Sequence, residues 1–146
     1  MGLTALDRLE ILDLVARYNL TTDSKDVDGY MDCWAEDVLF ESPFGTFRTR
    51  EKMRAFEAHH VETGAMGKRH LSLNVAIQEE DEAALVTSDL VVLEVAEAPH
   101  VVATGRYDRS RVIRTPGGWR FAHRRLELDG GFERYLAERG TAARPE

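Results

Sequence analysis

Leu6, Leu9, Ile11, Leu12, Leu14, Val15 and Tyr18 recur mostly at spacings of three and four, which places them in one wide apolar stripe on a helix. Arg8, Asp13 and Arg17 lie off that stripe. Thr4 can cap the helix, with Asp7 supplying the acid of a capping box. The helix is predicted to run to about Thr22. Asp23-Ser24-Lys25-Asp26 reads as a turn, with Asp26 able to cap a short second helix over about Val27 to Ala35. Tyr30, Met31 and Trp34 form its buried side. Val38 to Ser42 reads as a strand, Pro43-Phe44-Gly45-Thr46 as a hairpin turn and Phe47-Arg48 as a brief return strand. Thr49 caps a third helix, about Arg50 to Glu62, with Met53, Phe56 and His60 on its inner face.

After Gly67 the period changes to two. His70-Leu71-Ser72-Leu73-Asn74-Val75-Ala76-Ile77 alternates cleanly, as a strand does. Glu79 to Glu82 is an acidic turn. Ala84 to Val95 and Val101 to Thr115 read as long strands, and Pro116-Gly117-Gly118 is a strong hairpin signal into Trp119 to Leu128. A last helical turn is predicted over Phe132 to Arg139, and Thr141 to Glu146 reads as a flexible tail after one domain spanning residues 1–140. Helices with a small hairpin, followed by long antiparallel strands, are the α+β signature rather than the alternation of a parallel-sheet fold.

The chain of 146 residues is long enough to bury roughly 70% of its unfolded surface, so it can hold both a core and a pocket. Its net charge of -7 argues against nucleic-acid binding, although seven arginines crowd between Arg106 and Arg125. Alternating solvent-facing positions on strands account for those arginines. The single cysteine, Cys33, allows no internal disulfide and reads as core filler. There is no signal-peptide pattern and no apolar run of membrane-spanning length, so a cytoplasmic protein is expected, without membrane association. Phosphate-cradling glycine motifs are absent and no cofactor is expected. His59, His60, His70, His100 and His123 lack metal-ligand spacing, so no metal is expected either.

The strand headed by His70 carries the most chemistry. Strict alternation puts Leu71, Leu73, Val75 and Ile77 on one face and His70, Ser72, Asn74 and Ala76 on the other. A face of small polar groups headed by histidine either lines a cavity or meets solvent. Asp23, at about 100° per residue, falls roughly 20° from Leu12, on the flank of the apolar stripe, and can turn inward from the helix end. It reads equally as a plain turn aspartate.

Tyr18-Asn19-Leu20-Thr21-Thr22-Asp23 followed by Trp34-Ala35-Glu36-Asp37, the strand Arg69 to Asn74, Gly105-Arg106-Tyr107 and Gly117-Gly118-Trp119-Arg120-Phe121 together resemble the SnoaL-like family of the nuclear transport factor 2-like superfamily. The resemblance spans about Leu6 to Asp129. It implies a cone-shaped α+β barrel, with N-terminal helices packed on a strongly curved, mainly antiparallel sheet that encloses a pocket. Members such as scytalone dehydratase and hexachlorocyclohexane dehydrochlorinase pair an aspartate at the end of the first helix with a histidine on the strand after the third. Those positions match Asp23 and His70. The resemblance implies that the carboxylate orients an imidazole, which removes a proton from carbon while a leaving group departs.

It implies a cofactor-independent lyase or isomerase acting on a small apolar or aromatic oxygenated molecule. The alternative is a non-catalytic binding protein or partner subunit of the same fold, like the β subunit of ring-hydroxylating dioxygenases. Tyr18, Trp34, Phe40 and Phe56 are expected as hydrophobic walls. Asn74, Tyr107 and Arg125 are expected at the substrate, and His123 and Arg114 are further positions that could reach the cavity mouth. The second pocket histidine of the dehydratase has no counterpart near Gly105 or Tyr107, which leaves the acid for the leaving group open, with the Tyr107 phenol able to donate a hydrogen bond. The apolar face of the His70 strand predicts a homodimer or homotrimer through the sheet.

Overall fold

In the computed structural model, which describes residues 2–130, helix α1 (Ala5–Asp23) opens with the expected capping box. The Asp7 backbone N–H donates to the Thr4 hydroxyl at 3.1 Å, and the Thr4 backbone N–H returns a bond to the Asp7 carboxylate at 2.8 Å. The same carboxylate accepts from Arg114 at 2.8 Å and from the Trp119 indole at 3.2 Å, so the cap also ties the helix to the sheet. These donors hold the Asp7 carboxyl well below the usual carboxylate range, the Thr4 backbone bond being the strongest cause. The Asp26 carboxylate caps α2 (Val27–Asp32), and Thr49 caps α3 (Arg50–Glu62).

The remaining elements are β1 (Trp34–Ser42), β2 (Gly45–Phe47), β3 (Lys68–Glu80), β4 (Ala83–Glu94), β5 (His100–Thr115) and β6 (Gly118–Leu128). They form one six-stranded sheet in the order β2-β1-β6-β5-β4-β3. Neighbours are antiparallel except β1 and β6, which run parallel. The α+β cone is therefore present, with three helices among the described residues packed on a curled, mostly antiparallel sheet. Among the described residues no helix is long and apolar enough to cross a membrane. The helical turn expected over Phe132 to Arg139 and the tail after Gly140 lie outside the described residues.

One boundary differs from the sequence expectation. The second helix stops at Asp32, and Trp34 and Ala35 belong to a strand. Two tertiary contacts explain this. The Phe121 backbone N–H donates to the Cys33 carbonyl at 2.9 Å, recruiting the chain onto β6. The Arg50 guanidinium takes the carbonyls of Met31, Trp34 and Ala35, which an extended helix would use itself.

Bulges change the faces of three strands. On β3, Leu73 opposes Asp89 and Ala76 opposes Thr87, so β3 carries one residue more than its partner. Asn74 takes up the extra length with a left-handed φ of 53°. His70 and Ser72 therefore share the concave face with Val75 and Ile77, which pack against the core, while Leu71 and Leu73 turn outward. The expected grouping of Leu71, Leu73, Val75 and Ile77 on one face does not survive this bulge. A second irregularity on β5 has Arg109 at φ 48°. A third on β6 sets His123 opposite Arg111 but Phe121 opposite Val112. After it, Arg124 rather than Arg125 points inward, and Arg124 is fully buried, which corrects its reading as one of a run of solvent-facing arginines.

The core fills the space between the helices and the concave face. Tyr18 of α1 packs on Phe121 at a ring distance of 5.4 Å and on Tyr30 at 4.9 Å, and Trp34 meets Phe40 at 5.9 Å. Cys33 is completely buried, and burial pushes its thiol up to about 11, consistent with core filler rather than a nucleophile.

Candidate active site

Three contacts zip α1 to β3 in opposite directions. Arg8 donates to the Ile77 carbonyl, the Asn19 amide donates to the Ser72 hydroxyl at 2.9 Å, and Asp23 meets His70. Fifteen helical residues rise about 22 Å and seven strand residues advance about 23 Å. The end of the helix therefore arrives at the start of the strand, where the two chemical groups stand. Asp23 Oδ1 lies 2.7 Å from His70 Nδ1, and its two oxygens also accept from the His70 backbone N–H at 3.1 and 3.3 Å. Both side chains are mostly buried, with 9% and 13% of their surface exposed. The carboxylate fixes the imidazole by both its ring and its backbone, and the Nε2 nitrogen is left for the cavity.

His70 lines a cavity of about 50 Å³ inside the cone. Its walls are aromatic and aliphatic, and they include Tyr18, Phe40, Phe56 and Tyr107. That volume admits a few water molecules. A ring-sized molecule requires the wall to open, and Phe44, Phe56 and His60 are among the groups that line it. Phe56 stacks on His60 at 5.5 Å and Phe44 lies 5.7 Å from Phe56.

The other expected positions fall elsewhere. Trp34 is in the core behind the cavity rather than on its wall. Asn74 sits on the outside, where its amide donates to Asp89 at 2.7 Å, because the bulge it creates turns it outward. Arg125 is exposed and paired with Glu127 at 2.9 Å. His123 meets Glu41 at 2.8 Å, and Arg114 pairs with Asp7 and covers the Trp119 ring at 4.5 Å. None of these lines the cavity. At Gly105 a side chain would have its Cβ 2.4 Å from the Glu127 carbonyl oxygen, so no larger residue fits there.

Two buried groups were not singled out by sequence. Glu57 lies in line with Met53 and Val61 on α3, one turn apart in each direction, and all three are buried. A glutamate at the centre of an i, i+4, i+8 apolar row was the available signal. Glu57 is 1% exposed, lines the cavity and accepts from the Thr22 hydroxyl at 2.7 Å. Burial raises its carboxyl to about 7, the Thr22 bond opposes that rise, and the nearby Asp23 charge adds to it. The second group is Arg124. Its guanidinium lies 3.5 Å from the Tyr107 ring centre and 4.4 Å from that of Tyr18, and its Nε donates to Ser110 at 3.1 Å. Neither terminal nitrogen meets an acceptor among the described residues. Burial drives the phenols of Tyr18, Tyr30 and Tyr107 above their usual range, and Tyr18 and Tyr30 share a hydrogen bond at 3.0 Å. All three stay neutral near pH 7 and act as hydrogen-bonding groups. Among the described residues no three His, Cys, Asp or Glu side chains group as metal ligands.

Among the described residues, a curled sheet closed by three helices around an inward histidine–aspartate pair defines an α+β cone with an internal cavity. The SnoaL-like domain model matches residues 3–125, and the chain belongs to that family. A protein of unknown function with a cystatin-like fold from Nostoc punctiforme is 32% identical, over 89% of this chain and 96% of that one, with a TM-score of 0.82. An aspartate-to-asparagine variant of Rv3472, a protein of unknown function from Mycobacterium tuberculosis, is 30% identical over 89% and 80%, with a TM-score of 0.78. A candidate scytalone dehydratase from Novosphingobium aromaticivorans shares the fold at 18% identity and a TM-score of 0.72, over 84% of each chain. No curated protein matches the sequence.

Proposed function

We propose that the chain is a cofactor-independent lyase or isomerase in which His70 removes a proton from carbon and Asp23 supports the imidazolium that forms. The observation that carries this reading is the 2.7 Å bond from Asp23 to His70 Nδ1 at the wall of an apolar cavity. With Nδ1 held, Nε2 is the nitrogen available as base, and a carboxylate on the far side of the ring favours the charged product of the transfer. The mostly apolar walls favour a small apolar or aromatic molecule, and proton removal from carbon by an imidazole requires an activating group such as a carbonyl beside the C–H. The small cavity volume is the one observation that favours a non-catalytic ligand carrier instead.

The test is deuterium incorporation from heavy water into the α-carbon of benzylacetone, which requires only a base. Wild type is expected to catalyse the exchange. Asp23→Asn and His70→Ala are each expected to slow it by about 10²-fold or more. Exchange at the wild-type rate in His70→Ala removes the dyad from the mechanism. Binding of the ketone without any exchange supports the carrier reading.

A further inference from the structure

The dyad supplies a base, but elimination of a poor leaving group also requires a proton donor on the other side of the bond that breaks. Hydroxide leaves carbon only with a proton, whereas a halide leaves without one. The sequence offered no second histidine for this purpose, and Gly105 has no room for a side chain.

Glu57 occupies the cavity wall across from the strands. Its neighbours fix its geometry. Thr22 holds one oxygen at 2.7 Å and is the residue immediately before Asp23, so consecutive residues of α1 supply one carboxyl group of the site and hold the other. The second oxygen takes no hydrogen bond from a described residue. The Thr22 hydroxyl also lies 3.3 Å from the Tyr18 carbonyl. It can therefore turn its proton to that carbonyl and accept from a protonated Glu57, or donate to an ionised one. The site thus accommodates both protonation states without moving a heavy atom.

We propose that Glu57 is the catalytic acid of this cavity, donating its carboxyl proton to the leaving oxygen of a β-hydroxy ketone whose α-proton His70 removes. The inference rests on the dyad reading above. The electron pair of the C–H bond becomes the new C=C bond. The pair of the C–O bond leaves with oxygen, which takes the Glu57 proton and departs as water. His70 ends as imidazolium and Glu57 as carboxylate, and transfer of one proton between them restores the start.

The environment suits the role. Two carboxyl groups in one site with opposed surroundings divide into a charged partner and a neutral donor. Asp23 has a histidine beside it. Glu57 faces Asp23 from α1, Tyr30 from α2, Tyr107 from β5 and His70 from β3 across the cavity, with His60 one turn further along its own helix. Among the described residues, the guanidinium of Arg124 on β6 is the permanent cation nearby, and it is spread over the Tyr107 and Tyr18 rings. Burial holds the proton on Glu57 to about pH 7, where it is both present and transferable. The tyrosines keep their protons too firmly to share this role.

The experiment pairs two probes that differ by one hydroxyl. Benzylacetone exchange reports the base alone. Dehydration of β-hydroxybenzylacetone to benzylideneacetone, followed by its absorbance, needs base and acid. Glu57→Gln keeps the acceptor for Thr22 and the neutral charge but has no acidic proton. It is expected to lose ~10²-fold or more of the dehydration while exchange stays within a few-fold of wild type. The fall in dehydration rate above about pH 7 is expected to disappear in the variant's residual activity. Dehydration at the wild-type rate in Glu57→Gln overturns the proposal, and so does an equal loss of both reactions, which would mark a structural role or action at the carbonyl. Absence of exchange in wild type overturns the dyad reading itself, and the acid role falls with it. Should Glu57→Gln fail to fold, as judged by its circular dichroism, Thr22→Val provides the second variant. It removes the hydroxyl that orients the Glu57 carboxyl while leaving the acid in place, and is expected to slow dehydration selectively. Equal rates for both probes in Thr22→Val would count against the acid.

Discussion

At the residue scale, Glu57 has a consequence that needs no substrate. Its carboxyl ionises near 4.5 in the unfolded chain and at about 7 in the native state. Between those values the native state keeps a proton that the unfolded chain has released, so stability falls as pH rises. The contribution is fully present below the lower value and is lost as pH climbs through the upper one. It amounts to on the order of 3 kcal/mol. Urea denaturation of wild type and Glu57→Gln at about pH 5 and about pH 8 isolates it. The variant is expected to gain on wild type by roughly 2–3 kcal/mol across that range. Parallel pH profiles for the two proteins would show that Glu57 is ionised in the native state. The sequence did not mark this residue. A glutamate on an amphipathic helix is ordinarily solvated, and only the cavity behind α3 shows that this one is not.

At the element scale, helix starts were legible because caps are local. Thr4, Asp26 and Thr49 each satisfy backbone donors within three residues of themselves. Strand faces were less legible, because a bulge of one residue reverses every side chain beyond it. Asn74 pays for the β3 bulge with a left-handed backbone, which glycine adopts freely and a β-branched residue does not. Asn74→Val is therefore expected to be less stable than Asn74→Gly by about 1–2 kcal/mol, since both lose the Asp89 bond and only valine meets the strain. Urea midpoints of the two variants measure the difference, and equal midpoints would show that the backbone conformation is not enforced. The bulge also serves the site. Without it, either His70 or the Val75–Ile77 pair would face outward.

At the scale of the whole molecule, the outer face of the sheet carries charge pairs beside the outward-turned Leu71 and Leu73. Arg106 pairs with Asp89 and His123 with Glu41 on that side. Exposed leucines gather beside the helix, where Leu12, Leu20 and Leu73 flank a groove between α1 and β3, at 41%, 64% and 48% exposure. We propose self-association as a homodimer or homotrimer through the sheet, with this groove continuing the apolar surface beside it. Light scattering is expected to give a mass above that of one chain at micromolar concentration, and a Leu20→Glu, Leu73→Glu double variant is expected to give that of a single chain. A wild-type protein that is monomeric there would remove the expectation.

The pairing of Asp23 with His70 came from the family resemblance; the amino-acid sequence by itself determined the helix starts, the hairpin turns and the α+β class. Those rest on local periodicity, caps and turn chemistry, which act over a few residues. Tertiary structure alone decided which residues share the cavity. The parallel pairing of β1 with β6 pulled Trp34 out of a helix and into the core. Two bulges, on β3 and β6, turned Asn74 and Arg125 outward and Arg124 inward. Enclosure between α3 and the sheet converted Glu57 from an ordinary helical carboxylate into a buried acid. Each of these depends on how a strand or helix meets a distant partner, and burial, unlike periodicity, is a property of the assembled surface.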